Sequence, residues 1–203
     1  MRGGQRKSTS DSTPDIGLGF VVSIKTTHFR DRKNRKGKIT FGDFNHNETR
    51  FDAEFRAEAA EIHERNPFGV LIGLFVLPEE SAMIFTRGRP SSFAKWVKRL
   101  RFRAGREKPD DRNELFERIF IGLYKQDTQR AGEIHFFDVM NQPPVTGLPR
   151  EDLLTLSGLI SEITRQFQQR NDPPFHFGVS TLAEDEGIPI SQSDIVEPEE
   201  DNC

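Results

Sequence analysis

The segment that most constrains how this chain can fold is residues 70–86, VLIGLFVLPEESAMIFT. Two apolar runs flank Pro78-Glu79-Glu80-Ser81, a composition that suits two buried strands joined by a tight turn. The next segment is opposite in character. Residues 87–108, RGRPSSFAKWVKRLRFRAGREK, carry nine Lys/Arg against one acid, Glu107. Ser91 or Ser92 can cap a helix there, because Phe93, Trp96, Val97 and Leu100 recur at i, i+3, i+4 and i+7. Lys95, Lys98, Arg99, Arg101 and Arg103 fill the remaining positions, Arg106 comes after them, and Gly105 ends the pattern. With one acid available for pairing inside the segment, such a density of like charge is costly unless a polyanion meets it. Nucleic acid is the first partner it suggests.

The formal net charge of −3 hides an asymmetry. Residues 181–203 hold eight acids, Glu184, Asp185, Glu186, Asp194, Glu197, Glu199, Glu200 and Asp201, and no Lys or Arg, so the rest of the chain stands at +5. A basic body with an acidic tail suits a nucleic-acid binder whose tail competes for the same surface, or simply a solvated tail. The only cysteine is Cys203, which excludes an intramolecular disulfide and a cysteine-built zinc site. No apolar run approaches bilayer length, and the first residues, MRGGQRKSTSDSTPD, lack the apolar core of a secretory signal. The expected location is the cytoplasm, with no membrane partner.

Along the chain, residues 1–15 read as a disordered N-terminus and residues 18–27, LGFVVSIKTT, as the first core strand. Residues 28–38, HFRDRKNRKGK, read as a basic loop holding Arg30, Arg32, Lys33, Arg35 and Lys36, and residues 39–44 as a short strand. Residues 51–65 form an amphipathic helix with Phe51, Phe55, Ala59 and Ile62 on one stripe, stopped by Asn66-Pro67. LFERIFIGLYKQD is apolar but ambiguous in period, residues 128–140 read as a helix, and residues 151–170 as the last one. The domain plan is therefore 1–15 disordered, 16–148 an α+β DNA-binding domain, 149–172 a C-terminal helix and 173–203 a disordered acidic tail. Short strands, a hairpin and two helices predict an α+β, ferredoxin-like antiparallel sheet with helices packed on one face. Many functions use that class, so the fold alone selects none.

The order of these pieces resembles the single-tyrosine HUH transposases of the smallest insertion sequences, especially their REP-associated relatives. Those proteins place a V-M-P-[DN]-H-V-H turn between apolar strands; here Val76-Leu77-Pro78-Glu79-Glu80-Ser81-Ala82 stands in its place, followed by Met83-Ile84-Phe85. Leu115-Phe116-Glu117-Arg118-Ile119-Phe120 is similar to their L-W-Q-R-x-F-Y-D, and Gln142-Pro143-Pro144-Val145-Thr146-Gly147-Leu148 to N-P-V-R-A-G-L. The likeness spans residues 18–148. It implies a single-stranded or hairpin DNA partner and a homodimer. The same likeness puts Glu80 and Ala82 where the family's two metal-binding His stand, and Phe102 and Ala104 where its nucleophilic Tyr is expected. Ala82 has no ligand atom and neither Phe102 nor Ala104 has a hydroxyl, so the resemblance implies a degenerate member without strand cleavage. No cofactor is expected, and Mg²⁺ on Glu80 would enter only if nuclease activity survived.

The candidate interface is thus Lys95, Lys98, Arg99, Arg101, Arg103 and Arg106 with the loop cations Arg30, Arg32, Lys33, Arg35 and Lys36, all on phosphates. Phe102, between Arg101 and Arg103, could stack on a base. Trp96 belongs to the apolar stripe and reads as core. His28, His46, His63, His135 and His176 show no metal-ligand spacing, and Gly17–Gly19 precedes a strand rather than following one, unlike a nucleotide loop. The alternative is a non-enzymatic interaction module whose basic helix docks on an acidic partner or on its own tail.

Overall fold

The computed structural model describes residues 19–30, 32–35, 38–45, 47–84, 89–126, 129 and 132–170. The expected disordered N-terminus, the acidic tail and Lys36 lie outside the described residues. β1 (Phe20–Thr26) is half-buried, with Val21, Ser23 and Lys25 turned inward and Phe20, Val22 and Ile24 outward. β4 (Val70–Pro78) and β5 (Arg118–Tyr124) are buried on both faces, and both are near-continuous apolar runs, as expected of central parallel strands. β1 pairs with β4 and β4 with β5 in parallel; β6 (Ile134–Asp138) and β7 (Leu153–Leu154) complete the sheet antiparallel, in the order β1-β4-β5-β6-β7. β2 (Arg32–Arg35) and β3 (Lys38–Phe41) form a separate two-stranded antiparallel ribbon.

The parallel pairs need crossovers, and the helices supply them. The ribbon and α1 (Glu48–Arg65) lie between β1 and β4, whereas α2 (Glu80–Met83) and α3 (Ser92–Arg101) lie between β4 and β5. A single 3₁₀ turn at Arg150–Asp152 precedes β7, and α4 (Leu156–Arg170) comes after it. Side-chain alternation divides the core in two. Leu71, Phe75 and Leu77 of β4 and Ile119, Ile121 and Leu123 of β5 meet Phe55 and Ala59 of α1 and Phe93, Trp96, Val97 and Leu100 of α3. Val70, Ile72 and Phe120 point the other way, to Leu159, Ile163 and Phe167 of α4. Gly73 faces the first core, where a Cβ would stand 2.9 Å from Ile119 Cγ1, so nothing larger fits without displacement.

The fold is α+β, but it corrects several expectations. The sheet is mixed and open rather than antiparallel and ferredoxin-like, and helices cover both faces rather than one. Over its described residues, 70–84, this segment forms no hairpin: β4 runs through Pro78 and passes into α2, with Ala82 buried in the core. Periodicity cannot separate a buried parallel strand from a hairpin arm, because both are short apolar runs. Residues 134–138, expected to be helical, are β6, and the last helix begins at Leu156. Part of the basic loop is strand, since β2 pairs Arg32 with Phe41 and Arg35 with Lys38. Among the described residues no helix is long and apolar enough to cross a membrane.

Candidate nucleic-acid interface

The ribbon is anchored at its base by both charged and apolar residues. Arg30, just before β2, donates from Nε to Gly42 O at 2.9 Å and lies 3.5 Å from Glu80. Past β3, Phe44 N donates to Ser92 Oγ at 2.9 Å, and Trp96 Nε1 donates to Phe44 O at 2.9 Å. Asp43 accepts from Lys95 Nζ at 3.1 Å. The chain leaving the ribbon is thereby clamped to the first two turns of α3. Ser91 caps that helix, accepting from Ala94 N at 3.2 Å. The expected apolar stripe and cap of α3 are both present.

The cations of this helix are placed differently from the expectation of an unpartnered basic face. Arg103 grips Asp52 of α1 with two parallel hydrogen bonds, Nε to Oδ1 at 2.8 Å and Nη2 to Oδ2 at 2.9 Å. Arg99 reaches the same carboxylate at 3.4 Å and Glu48 at 4.0 Å. Arg101 donates from Nε to Val139 O at 2.8 Å and from Nη2 to Asn141 O. Arg106 is fully buried, bound to Glu117 and to the carbonyls of Pro67 and Pro109. Counting acids within the segment missed these partners because Asp43, Glu48 and Asp52 lie some fifty positions upstream. Lys98 is exposed and without a partner among the described residues, and Phe102, one turn further, is 69 % exposed. These two are the part of the helix left open to a ligand.

Asp52 carries a pH signature. Hydrogen bonds from Arg103 hold its carboxyl below the usual value of 3.8, against a smaller opposing effect of burial. A carboxyl depressed in the folded state stabilises it fully above the unfolded value, and that stability is lost as pH falls through the folded value. Asp52→Asn should therefore cost about 1–2 kcal/mol at pH 7. The gap between the variant and the parent should close below about pH 3.8. Urea titrations at pH 7, 4 and 3 test this; a gap that does not change with pH would remove Asp52 from the account.

The positions that the transposase resemblance singles out do not form a metal cage. Glu80 and Ala82 sit on α2, not on a strand, so they do not share the strand face that the family's metal-binding pair requires. Glu80 faces Arg30, and Ala82 is buried with no donor atom. These residues do not fit a divalent cation. Ala104 is 9 % exposed and packs in the core, so only Phe102 of the two tyrosine-equivalent positions reaches solvent. The chain's one tyrosine, Tyr124, lies instead at the carboxyl end of β5, where its hydroxyl is 2.9 Å from His28 Nδ1. His28 lies just past β1, so the ends of two strands that are not neighbours bring this pair together, and no sequence signal could have marked it. Compared with protein-family profiles, curated proteins and solved structures, the chain finds no match.

Proposed function

We propose that this chain is a DNA-binding domain for single-stranded or hairpin DNA, without strand cleavage, that holds the phosphate backbone with its β2–β3 ribbon. One observation carries the reading. In a ribbon separate from the main sheet, Arg32, Lys33, Arg35 and Lys38 occupy half of the eight paired positions, and Arg35 is registered directly opposite Lys38. Like charges across a strand pair are destabilising, and phosphates along the ribbon would offset that cost. A two-stranded ribbon is also a shape that nucleic-acid grooves accept. The cation of Lys98 and the ring of Phe102 extend the surface, the first for a phosphate and the second for stacking.

Fluorescence anisotropy with single-stranded, hairpin and duplex oligonucleotides across a salt series tests the reading. Affinity should fall steeply with salt, and each of Lys33→Ala and Arg35→Ala should flatten the slope by about 0.7–0.9. Phe102→Ala should cost about 1–3 kcal/mol if one base stacks there. Substitutions at Arg99 and Arg103, engaged with Asp52, should lower stability rather than affinity. Absence of binding at low salt would end this reading. The rival, an interaction module, would then gain from the outward apolar residues of β1, Phe20, Val22 and Ile24, which are 38 %, 38 % and 64 % exposed.

A further inference from the structure

A second concentration of charge lies at the amino end of β5, whereas the ribbon's base contacts Glu80 of α2, just past the carboxyl end of β4. Its centre is Glu117, whose side chain is 4 % exposed. Glu117 Oε1 accepts from Arg106 Nη1 at 3.1 Å and also from Arg170 Nη2 at 2.9 Å, while Oε2 accepts from Leu71 N at 2.7 Å. His63 Nε2 is 3.3 Å from Oε2 but off the line of a hydrogen bond. Two buried guanidinium groups thus share one carboxylate oxygen. The Nε atoms of both have no hydrogen-bond partner among the described residues.

Other acids near this pair are engaged elsewhere. The Asp111 carboxylate accepts from the backbone N–H of Glu107 and Lys108 at 2.9 Å each. Asp138 serves Arg118 at 3.2 Å, and Glu162 serves Arg165. Burial, reinforced by repulsion from Arg106, holds Arg170 below the usual arginine value despite the attraction of Glu117, Asp111 and Asp110. Two guanidinium groups meet one buried carboxylate here, with Asp110 and Asp111 acting only from further off, and a further anion against them would be stabilised.

The structure provides room for one. A cavity of about 330 Å³ opens beside the pair, and the charged residues of its lining are Arg106, Arg118, Arg165 and Arg170 with Glu107 and Glu117. That volume falls in the range of small-ligand sites, about 300–1,000 Å³. Guanidinium groups present planar, paired donors that match phosphate oxygens, and four of them converge here.

We propose that this cavity binds a phosphoryl group, with Arg170 at its floor, the fully buried Arg106 behind it, and Arg118 and Arg165 at its rim. The phosphoryl group belongs either to a small organic phosphate or to the end of a nucleic-acid strand. The site is independent of the ribbon and of the function proposed for it.

The test uses the full chain, calorimetry and thermal melts at constant ionic strength. The probes are inorganic phosphate, AMP, adenosine, and a pentanucleotide with either a 5′-phosphate or a 5′-hydroxyl. AMP or the 5′-phosphorylated strand should bind saturably and more tightly than its unphosphorylated counterpart. The 5′-hydroxyl strand reports ribbon binding alone. Tighter binding of AMP assigns the site to small phosphates, and tighter binding of the phosphorylated strand assigns it to strand ends. Arg165→Gln, on the half-exposed rim, and Arg170→Gln should each weaken phosphate-dependent binding by about ten-fold. Arg170→Gln should also melt no lower than the parent protein without ligand, because it removes the cation in excess. Arg165→Gln decides the matter if Arg170→Gln fails to fold. No phosphate-dependent binding by any probe, or binding unchanged in the folded variants, would overturn the proposal.

Discussion

Glu117→Gln is expected to destabilise the protein by about 3–5 kcal/mol, the cost of leaving buried charge without its partner. The glutamine keeps the shape and still meets Leu71 N, but the charge that faces Arg106 and Arg170 is gone. Arg106 has no exposed surface through which water could take over, and Arg170 is only 6 % exposed. Typical domains have about 5–15 kcal/mol in all, so the loss is a large fraction. Urea denaturation measures it. A companion variant separates charge from packing: Glu117→Met combined with Arg106→Met and Arg170→Met should lose less than Glu117→Gln alone, because no orphaned ion remains. A cost below about 1 kcal/mol for Glu117→Gln would mean that the guanidinium groups find compensation elsewhere.

Trp96→Ala is expected to cost about 3–5 kcal/mol through the cavity it leaves. The indole is 1 % exposed, with its ring centroid 4.3 Å from that of Phe75 and 6.1 Å from that of Phe51, so it joins α3, β4 and α1. It also holds the carbonyl of Phe44, which is 1 % exposed, and so fixes the connector leaving the ribbon. Trp96→Phe keeps most of the packing but orphans that carbonyl, and should cost about 1–3 kcal/mol. If the ribbon binds DNA as proposed, Trp96→Phe should also weaken binding, although the residue is too buried to touch a ligand. Equal stability of the parent and Trp96→Ala would place the tryptophan outside the core.

The elements legible in the sequence are those whose signal is local. The stripe of Phe51, Phe55, Ala59 and Ile62 marks α1, and Phe93, Trp96, Val97 and Leu100 with the Ser91 cap mark α3, because a helix repeats its buried face within a few residues. The strand character of β1 shows in the same way. The basic run before β3 is equally visible as composition, although its pairing into a ribbon is not.

Features that depend on distant partners were not legible. Whether residues 70–86 fold into a hairpin or continue from a strand into a helix depends on what borders β4, and β1 and β5 lie about fifty residues away on either side. Residues 134–138 become a strand because β5 offers an edge to pair with, which overrides local preference. The charges show the same division most clearly. Composition determined that residues 87–108 are strongly cationic, but only the tertiary structure decided which of those cations are available. Asp52 takes Arg99 and Arg103, Asp43 takes Lys95, Glu117 takes Arg106 and backbone carbonyls take Arg101, leaving Lys98 as the exposed cation of α3, with Arg89 and Lys108 exposed outside the helix. An amino-acid sequence states how much charge a segment carries; pairing is a matter of distance, and the fold sets the distances.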